Sequence, residues 1–403
     1  MRRLDEARVL MYSHDTFGLG HLRRCRTIAH YLVEHFRGLH VLIISGSPIA
    51  GAFDFRARVE FVKIPSVVKV DGGEYASHNR HIDLTEAMQM RHAMIRQTAE
   101  TFQPDIVIVD KEPLGLDGEL AETLSYLKTR GTTLVLGLRD VMDAPRLLAK
   151  EWAQRDVLRK IAALYDMIWV YGPAEFWDPL TGLDVPAGVR GRMNFVGFLH
   201  RTLPMSPVSN HEPHGDYILV TAGGGGDGAD LIDNVLSAYQ GTAAMPYRAL
   251  VVMGPFMPAD RREVLWAKAK KIPAIDIIQF DNRLETLIAG ARAVVGMGGY
   301  NTFCEVLSFD KPALLVPRIA PREEQLLRVQ RGAELGLIDM LRPEDAARPE
   351  LFSSMLRKLT DQPPPSRRGR MFPLDGLPNI KGVVENWIRQ HPPQRLSAIE
   401  ATI

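Results

Sequence analysis

Short, continuous apolar runs alternate along most of this chain with longer stretches in which apolar residues recur at helical spacing. In the first half the runs are 8–12 (RVLMY), 40–45 (HVLIIS), 59–64, 105–109 (DIVIV), 132–137 (TTLVLG) and 167–171 (MIWVY). Helix-length amphipathic stretches separate them at 21–37, 83–102, 117–130 and 146–164. Strands that are apolar throughout need cover on both faces, and helices between them supply it, so the pattern predicts a parallel sheet in a doubly wound α/β domain.

The rhythm fails over 197–216, GFLHRTLPMSPVSNHEPHGD, which has prolines and polar residues without periodicity. An interdomain linker is expected there. The rhythm restarts with runs at 217–222 (YILVTA), 248–253 (RALVVM), 275–280 (IDIIQF), 292–296 (RAVVG) and 312–316 (PALLV). Helical stretches follow at 228–240, 259–270, 283–290, 301–308 and 322–335, which predicts a second α/β domain. After a break at 361–378, NIKGVVENWIRQ at 379–390 reads as a last amphipathic helix. The division is therefore a first domain over 1–200, a linker over 201–216, a second domain over 217–375, and a C-terminal helix and tail over 376–403. Two such domains leave a cleft between them, the usual place for a ligand.

Composition adds boundaries to this picture. A 46% hydrophobic, 24% charged chain with net charge +1 is an ordinary globular protein, and its overall charge gives no reason to expect a nucleic acid partner. Basic clusters at Arg2 and Arg3, at Arg23, Arg24 and Arg26, and at Arg367, Arg368 and Arg370 read as solvated faces, although one could meet an anionic ligand or a membrane surface. Two cysteines, Cys25 and Cys304, provide neither a disulfide framework nor a zinc site and read as buried thiols. No run has the length of a membrane span and the N-terminus does not read as a secretory signal. A cytoplasmic location is expected, with peripheral contact at the inner membrane face left open.

The candidate chemistry gathers at glycine turns that follow apolar strands. Residues 294–328, VVGMGGYNTFCEVLSFDKPALLVPRIAPREEQLLR, read as strand, glycine turn, helix, strand and polar loop. Gly298 and Gly299 allow close backbone approach, Asn301 and Thr302 are candidate caps, and a helix start favours phosphate. Glu305, placed in the first helical turn, could accept ribose hydroxyl bonds or simply complement the helix dipole. Glu324 and Gln325, beyond the next strand, could face sugar hydroxyls. In TAGGGGDGAD, Gly223, Gly224, Gly225 and Gly226 can form an anion-binding concavity. This loop satisfies G-x-G-x-x-G, but the next strand, VVMGPFMP, lacks the carboxylate that a nicotinamide dinucleotide site wants.

In the first domain, SHDTFGLGHLRRCRTIA turns through Gly18 and Gly20 into a helix led by His21. A helix start disfavours the cation, so His21 reads as a neutral base, or else as a cap. Asp15, Asp110 and Asp140 stand at strand ends; Asp110 could orient His21 or act as a base, and each could equally serve a turn. Arg139 and Asp140 could form a local ion pair. The polar segment 65–82 reads as a long loop on the acceptor side.

Over 217–340, the order GGGGDG, QFDNRLETL, GMGGYNTFCE, PALLVPRIAPREEQ resembles the donor-binding domain of GT-B glycosyltransferases. The likeness is greatest to the family 28 type that adds N-acetylglucosamine to the lipid-linked peptidoglycan precursor. The resemblance implies two Rossmann-like domains facing a cleft. It also implies a diphosphate held at 223–228 and 298–302, a base read near Phe280, Asp281 and Leu284, a ribose on Glu305, and a donor sugar on Glu324 and Gln325. Gly226 replaces a usual serine and Glu324 replaces the first of a glutamine pair, so the donor sugar need not be the family's. GLGHLRRCRTIA is similar to the G-x-G-H opening of nucleotide-sugar hydrolases of nonulosonic acid synthesis, in which that histidine is catalytic.

The expected reaction is inverting transfer of a sugar from a nucleoside diphosphate, UDP by resemblance, to a hydroxyl of a glycan, a lipid-linked molecule or a small molecule. His21 would be the base, with Asp15 or Asp110 in support. No cofactor is implied and, without a D-x-D sequence, no metal. Hydrolysis of the same donor is the nearest rival, followed by epimerisation and a non-catalytic binding role.

Overall fold

The computed structural model describes residues 7–14, 19–69, 75–78, 81–204, 211, 215–241 and 244–390. The first domain contains strands β1 (Arg8–Ser13), β2 (His40–Ser45), β3 (Val59–Lys63), β4 (Val67–Lys69), β5 (Tyr75–Ser77), β6 (Ile106–Asp110), β7 (Thr133–Arg139), β8 (Met167–Tyr171) and β9 (Met193–Phe195). The second contains β10 (Tyr217–Thr221), β11 (Arg248–Val252), β12 (Ile275–Ile278), β13 (Ala293–Gly296), β14 (Ala313–Leu315) and β15 (Asp339–Met340).

Both main sheets are parallel, in the orders β3-β2-β1-β6-β7-β8-β9 and β12-β11-β10-β13-β14-β15. Val9 is flanked by Val41 and Ile106, and Leu219 by Leu250 and Val294, so apolar residues stack in register through both sheets. Every residue of β6, β10 and β13 is buried, which is why these strands read as unbroken apolar runs. Burying each Val, Leu or Ile side chain contributes about 1.5–3 kcal/mol. The strand order reverses between β1 and β6 in one sheet and between β10 and β13 in the other, and a ligand crevice is expected outside the C-terminal ends of strands at such a switch.

The helix Gly20–His35 buries Leu22, Cys25, Ile28, Ala29, Leu32 and Val33. Cys25 and Cys304 are both buried thiols, as expected. The C-terminal helix Gly376–Gln390 returns to the first domain. There Asn379 Nδ2 donates to Val196 O at 2.8 Å and Trp387 Nε1 to Thr133 Oγ1 at 2.7 Å. Between the domains, Phe176 packs against Phe198 and Phe303 with ring centroids 5.1 and 5.4 Å away.

Some elements depart from the sequence reading. The stretch 146–164 divides into Pro145–Gln154 and Val157–Leu164, because Asp156 takes a left-handed conformation (φ 49°). Part of the polar segment 65–82 is an antiparallel hairpin of β4 and β5 rather than loop throughout. The short strands β9 and β15 and the helix Pro349–Leu359 were not anticipated. β9 and β15 have three and two residues, too few to display a periodicity. Among the described residues, no helix is long and apolar enough to cross a membrane.

Candidate functional site

A cleft of about 830 Å³ lies at the C-terminal ends of the two central strand sets. The glycine turns of the two domains meet in it, since Asn301 Nδ2 donates to Gly20 O at 3.1 Å.

The second-domain wall carries a run of bare backbone among its side chains. Gly223, Gly224, Gly225 and Gly226 all line it, immediately after β10. Gly225 has φ +96°, and a Cβ there would lie 2.6 Å from Met253 O, so only glycine fits this turn. Gly299 caps the helix Tyr300–Ser308 and has no atom within 4 Å of where its Cβ would stand, which leaves the helix N-terminus open to the cleft. Gly298 does not line the cleft. With φ +78° and a would-be Cβ 2.1 Å from Val329 Cγ2, its part is to make the turn.

Phe280, Asp281, Leu284, Asn301, Thr302, Glu324 and Gln325 line the cleft. Several of their side chains already have partners. Asn301 and Thr302 do not cap the helix, because Gly299 is the cap residue; Asn301 bonds Gly20 and accepts from Arg201 Nη2 at 2.6 Å. Asp281 Oδ1 accepts from Arg283 N at 2.7 Å. Glu324 Oε1 accepts from Arg318 Nη2 at 2.5 Å, Gln325 Oε1 accepts from Arg318 N at 3.0 Å, and Glu324 Oε2 is buried without a partner.

Glu305 departs most from expectation. It sits in the second turn of its helix, is 0% exposed and does not line the cleft. The reason is Arg23, which reaches across from the first domain to pair with both Glu305 and Glu285, the latter at 2.7 Å. Burial raises the Glu305 carboxyl against the pull of Arg23, while Glu285, also buried, is held lower by Arg23. Glu305 Oε2 is left without a partner.

Side chains form most of the first-domain wall. Asp110 ends β6, where it is 1% exposed. It accepts from Arg24 Nε at 2.7 Å and Nη2 at 2.6 Å, and its Oδ2 meets His21 Nδ1. Burial would raise the Asp110 carboxyl, but Arg24 and His21 together hold it well below the carboxylate range. Burial lowers His21 to about 4 although Asp110 pushes the other way, so the imidazole is neutral at ordinary pH. Ionised Asp110 can only accept, so the proton of neutral His21 belongs on Nδ1, which Arg24 Nη2 also approaches at 3.1 Å; Nε2 then keeps its lone pair, and His21 lines the cleft.

The dyad was legible as two candidates; Arg23 and Arg24 were misread as a solvated face. Arg23 is 9% exposed and Arg24 1%, both held by carboxylates from distant parts of the chain. Asp140 does not pair with Arg139. It pairs with Arg328 of the second domain at 2.6 Å, both side chains 0% exposed. Asp15 and Gly18 lie outside the described residues. The sequence reading missed His14, Tyr75, Lys111, Arg139, Arg318 and Arg322, all of which line the cleft. Lys111 and Arg139 stand at the ends of apolar strands beside residues that were singled out, and that position was the available signal. Among the described residues, no group of three or more His, Cys, Asp or Glu side chains could hold a metal ion.

The model of the glycosyltransferase family 28 C-terminal domain matches residues 217–367. Similar solved structures include the glycotransferase of kitacinnamycin (14% identity, TM-score 0.62, covering 96% of this chain and 100% of that one) and Acinetobacter baumannii MurG (13%, 0.53, 94% and 99%). A putative UDP-N-acetylglucosamine 2-epimerase from Listeria monocytogenes is also similar (12%, 0.58, 96% and 98%). Compared by sequence with curated proteins, the chain has no significant match. These findings define a GT-B glycosyltransferase fold. The family 28 match falls on the second domain.

Proposed function

We propose that this protein transfers a sugar from a nucleoside diphosphate to an acceptor hydroxyl with inversion at the anomeric carbon. The observation that carries the reading is the His21–Asp110 dyad, set across a shared cleft from the glycine turns. In the loop Gly223–Gly226 the amides of Gly223 and Gly225 are already donated to Thr221 Oγ1 and Ala222 O, so Gly224, Gly226 and the helix start at Gly299 would hold the diphosphate and stabilise the leaving group without a metal, with the paired Arg318 beside them. In this reading Phe280 and Leu284 hold the base and Glu324 and Gln325 the sugar, all four being residues that line the cleft. His21 Nε2 takes the acceptor's proton as its oxygen attacks, and Asp110 stabilises the imidazolium that forms. Ribose contact with Glu305 requires Arg23 to withdraw first.

A UDP donor is supported by the resemblance of the second domain. The test is incubation of the purified protein with a panel of nucleotide sugars, with and without glycan and lipid acceptors. Nucleotide release that depends on acceptor supports transfer. Equal release without acceptor replaces it with hydrolysis, in which the same dyad activates water. An interconverted sugar with no release makes the protein an epimerase.

A further inference from the structure

Most charged groups around the cleft are matched. Arg24 has Asp110, Arg318 has Asp227 and Glu324, Arg322 has Asp143 and Glu151, and Arg155 has Glu112. Arg139 is the exception. Among the described residues no ion pair or side-chain hydrogen bond reaches it, and its Nε is shut away from solvent without a partner. It is the last residue of β7 and lines the cleft.

The adjacent strand end carries a second cation. Lys111 follows β6 directly and is bound to β7 by its backbone N–H, which donates to Gly137 O at 2.8 Å. Its Nζ comes no closer to a carboxylate than 3.7 Å, at Glu112, which Arg155 also approaches. Burial lowers Lys111 to about 8 and Arg139 to about 10. Glu324, the nearby carboxylate, has its Oε1 on Arg318 and its Oε2 unpartnered. Glu324 attracts Arg139 but is shared with Arg318, so burial still outweighs its pull, and a ligand that brings a further negative charge lowers that cost.

The donor diphosphate, in the function proposed for the cleft, rests on glycine amides of the opposite wall and does not serve Arg139. We propose that the substrate carries a second oxyanion, a carboxylate or phosphate on the transferred sugar or on the acceptor, which lodges between Arg139 and Lys111. The inference rests on the donor-site reading. A guanidinium presents a planar fork that matches either oxyanion, and Lys111 adds a mobile point charge. Glu324 Oε2 is then free to accept a hydroxyl of the same group.

Calorimetry on the full chain tests this with UDP, UDP-glucose and UDP-glucuronic acid, and with glycerol 3-phosphate added to the UDP complex. If the oxyanion is on the sugar, UDP-glucuronic acid binds at least about tenfold tighter than UDP-glucose, the scale of one charge-assisted hydrogen bond. If it is on the acceptor, the two sugars bind alike and glycerol 3-phosphate binds the UDP complex. In either case Arg139→Gln or Lys111→Met removes the advantage and Arg139→Lys keeps part of it. Melting curves show which variants are folded, and either substitution alone suffices. The proposal is overturned if UDP binds but neither advantage appears, or if an advantage survives both substitutions. If UDP does not bind, the donor-site reading fails. Glycerol 3-phosphate on the unliganded protein then decides: binding lost in Arg139→Gln keeps the anion site, and no binding ends it.

Discussion

On the second-domain wall the cleft carries the glycine loop Gly223–Gly226 and the open helix start at Gly299 among side chains such as Phe280 and Gln325, while on the first-domain wall it is set with the titratable and charged groups His21, Lys111 and Arg139, backed by Asp110 and Arg24. The two walls come from similar parallel sheets with similar switch points. They differ in the residues set just beyond the strand ends. A backbone wall serves a group common to many substrates, a diphosphate, and needs only the turn. A side-chain wall selects protonation state and charge, and needs partners brought together from separate strand ends. Chemistry and specificity should therefore be lost by editing one wall, and donor grip by editing the other.

The largest expected effect is on the side-chain wall. His21→Ala should lower kcat by about 10²–10⁴-fold, the usual contribution of a positioned general base, with nucleotide affinity retained. Asp110→Asn should lower kcat in the same direction, because it removes the carboxylate that fixes the ring and stabilises its cation. Steady-state kinetics alongside nucleotide titration separates the two quantities. Near-normal turnover in His21→Ala would remove it as the base.

The bolt between the walls comes next. Arg328→Leu leaves Asp140 charged and buried without its partner, and breaking such a pair costs about 3–5 kcal/mol. Chemical denaturation should show that loss, and Asp140→Asn with Arg328→Leu should recover part of it. An Arg328→Leu protein as stable as the parent would mean that the domains can separate there without penalty.

The backbone wall should be more tolerant. Gly225→Ala forces a side chain into a φ of +96° and against Met253 O, and such strain costs about 1–3 kcal/mol. The expected outcome is weaker donor binding with the proton-transfer step intact. Kinetics in which kcat falls at saturating donor and KM stays put would erase the distinction between the walls.

This asymmetry also explains how much of the molecule was legible in the sequence. The strands with full burial, such as β6 and β10, announce themselves as apolar runs, and glycine turns after them are contiguous in sequence. The glycine loops of the donor wall could therefore be located from the sequence, whereas Arg318 and Arg322 beside them could not, and Gly298 and Glu305 do not line the cleft. The side-chain wall could be read only in part. His21 and Asp110 are 89 positions apart, and nothing local says that they touch. Arg23, Arg24 and Arg26 form a basic cluster that local pattern assigns to solvent. Only the fold brings Glu285, Glu305 and Asp110 to Arg23 and Arg24 from 262, 282 and 86 positions away. Glu305 failed as a first-turn, ligand-facing residue because the helix begins at Tyr300 and because a cation from the other domain covers the carboxylate.

The smallest expected effect is an absence of change, in the pH dependence of the reaction. An ordinary histidine base gives a rate that falls as pH drops through about 6.5. His21 is held near 4 by burial, so the neutral form that accepts a proton persists down to that region. The limb of kcat/KM assigned to the free enzyme's base should stay flat from neutrality through the usual histidine range and fall only near pH 4. The same shift has a stability consequence with a fixed sign. Between about 4 and 6.5 the unfolded chain binds the proton and the folded one does not, so stability conferred by neutral His21 is full above the unfolded value and declines as pH falls toward 4. His21→Asn should flatten that part of the stability profile. An inflection near 6.5 in the wild-type rate that vanishes in Asp110→Asn would instead mean that the carboxylate outweighs burial. The first-domain wall would then be governed by its charges rather than by its dryness.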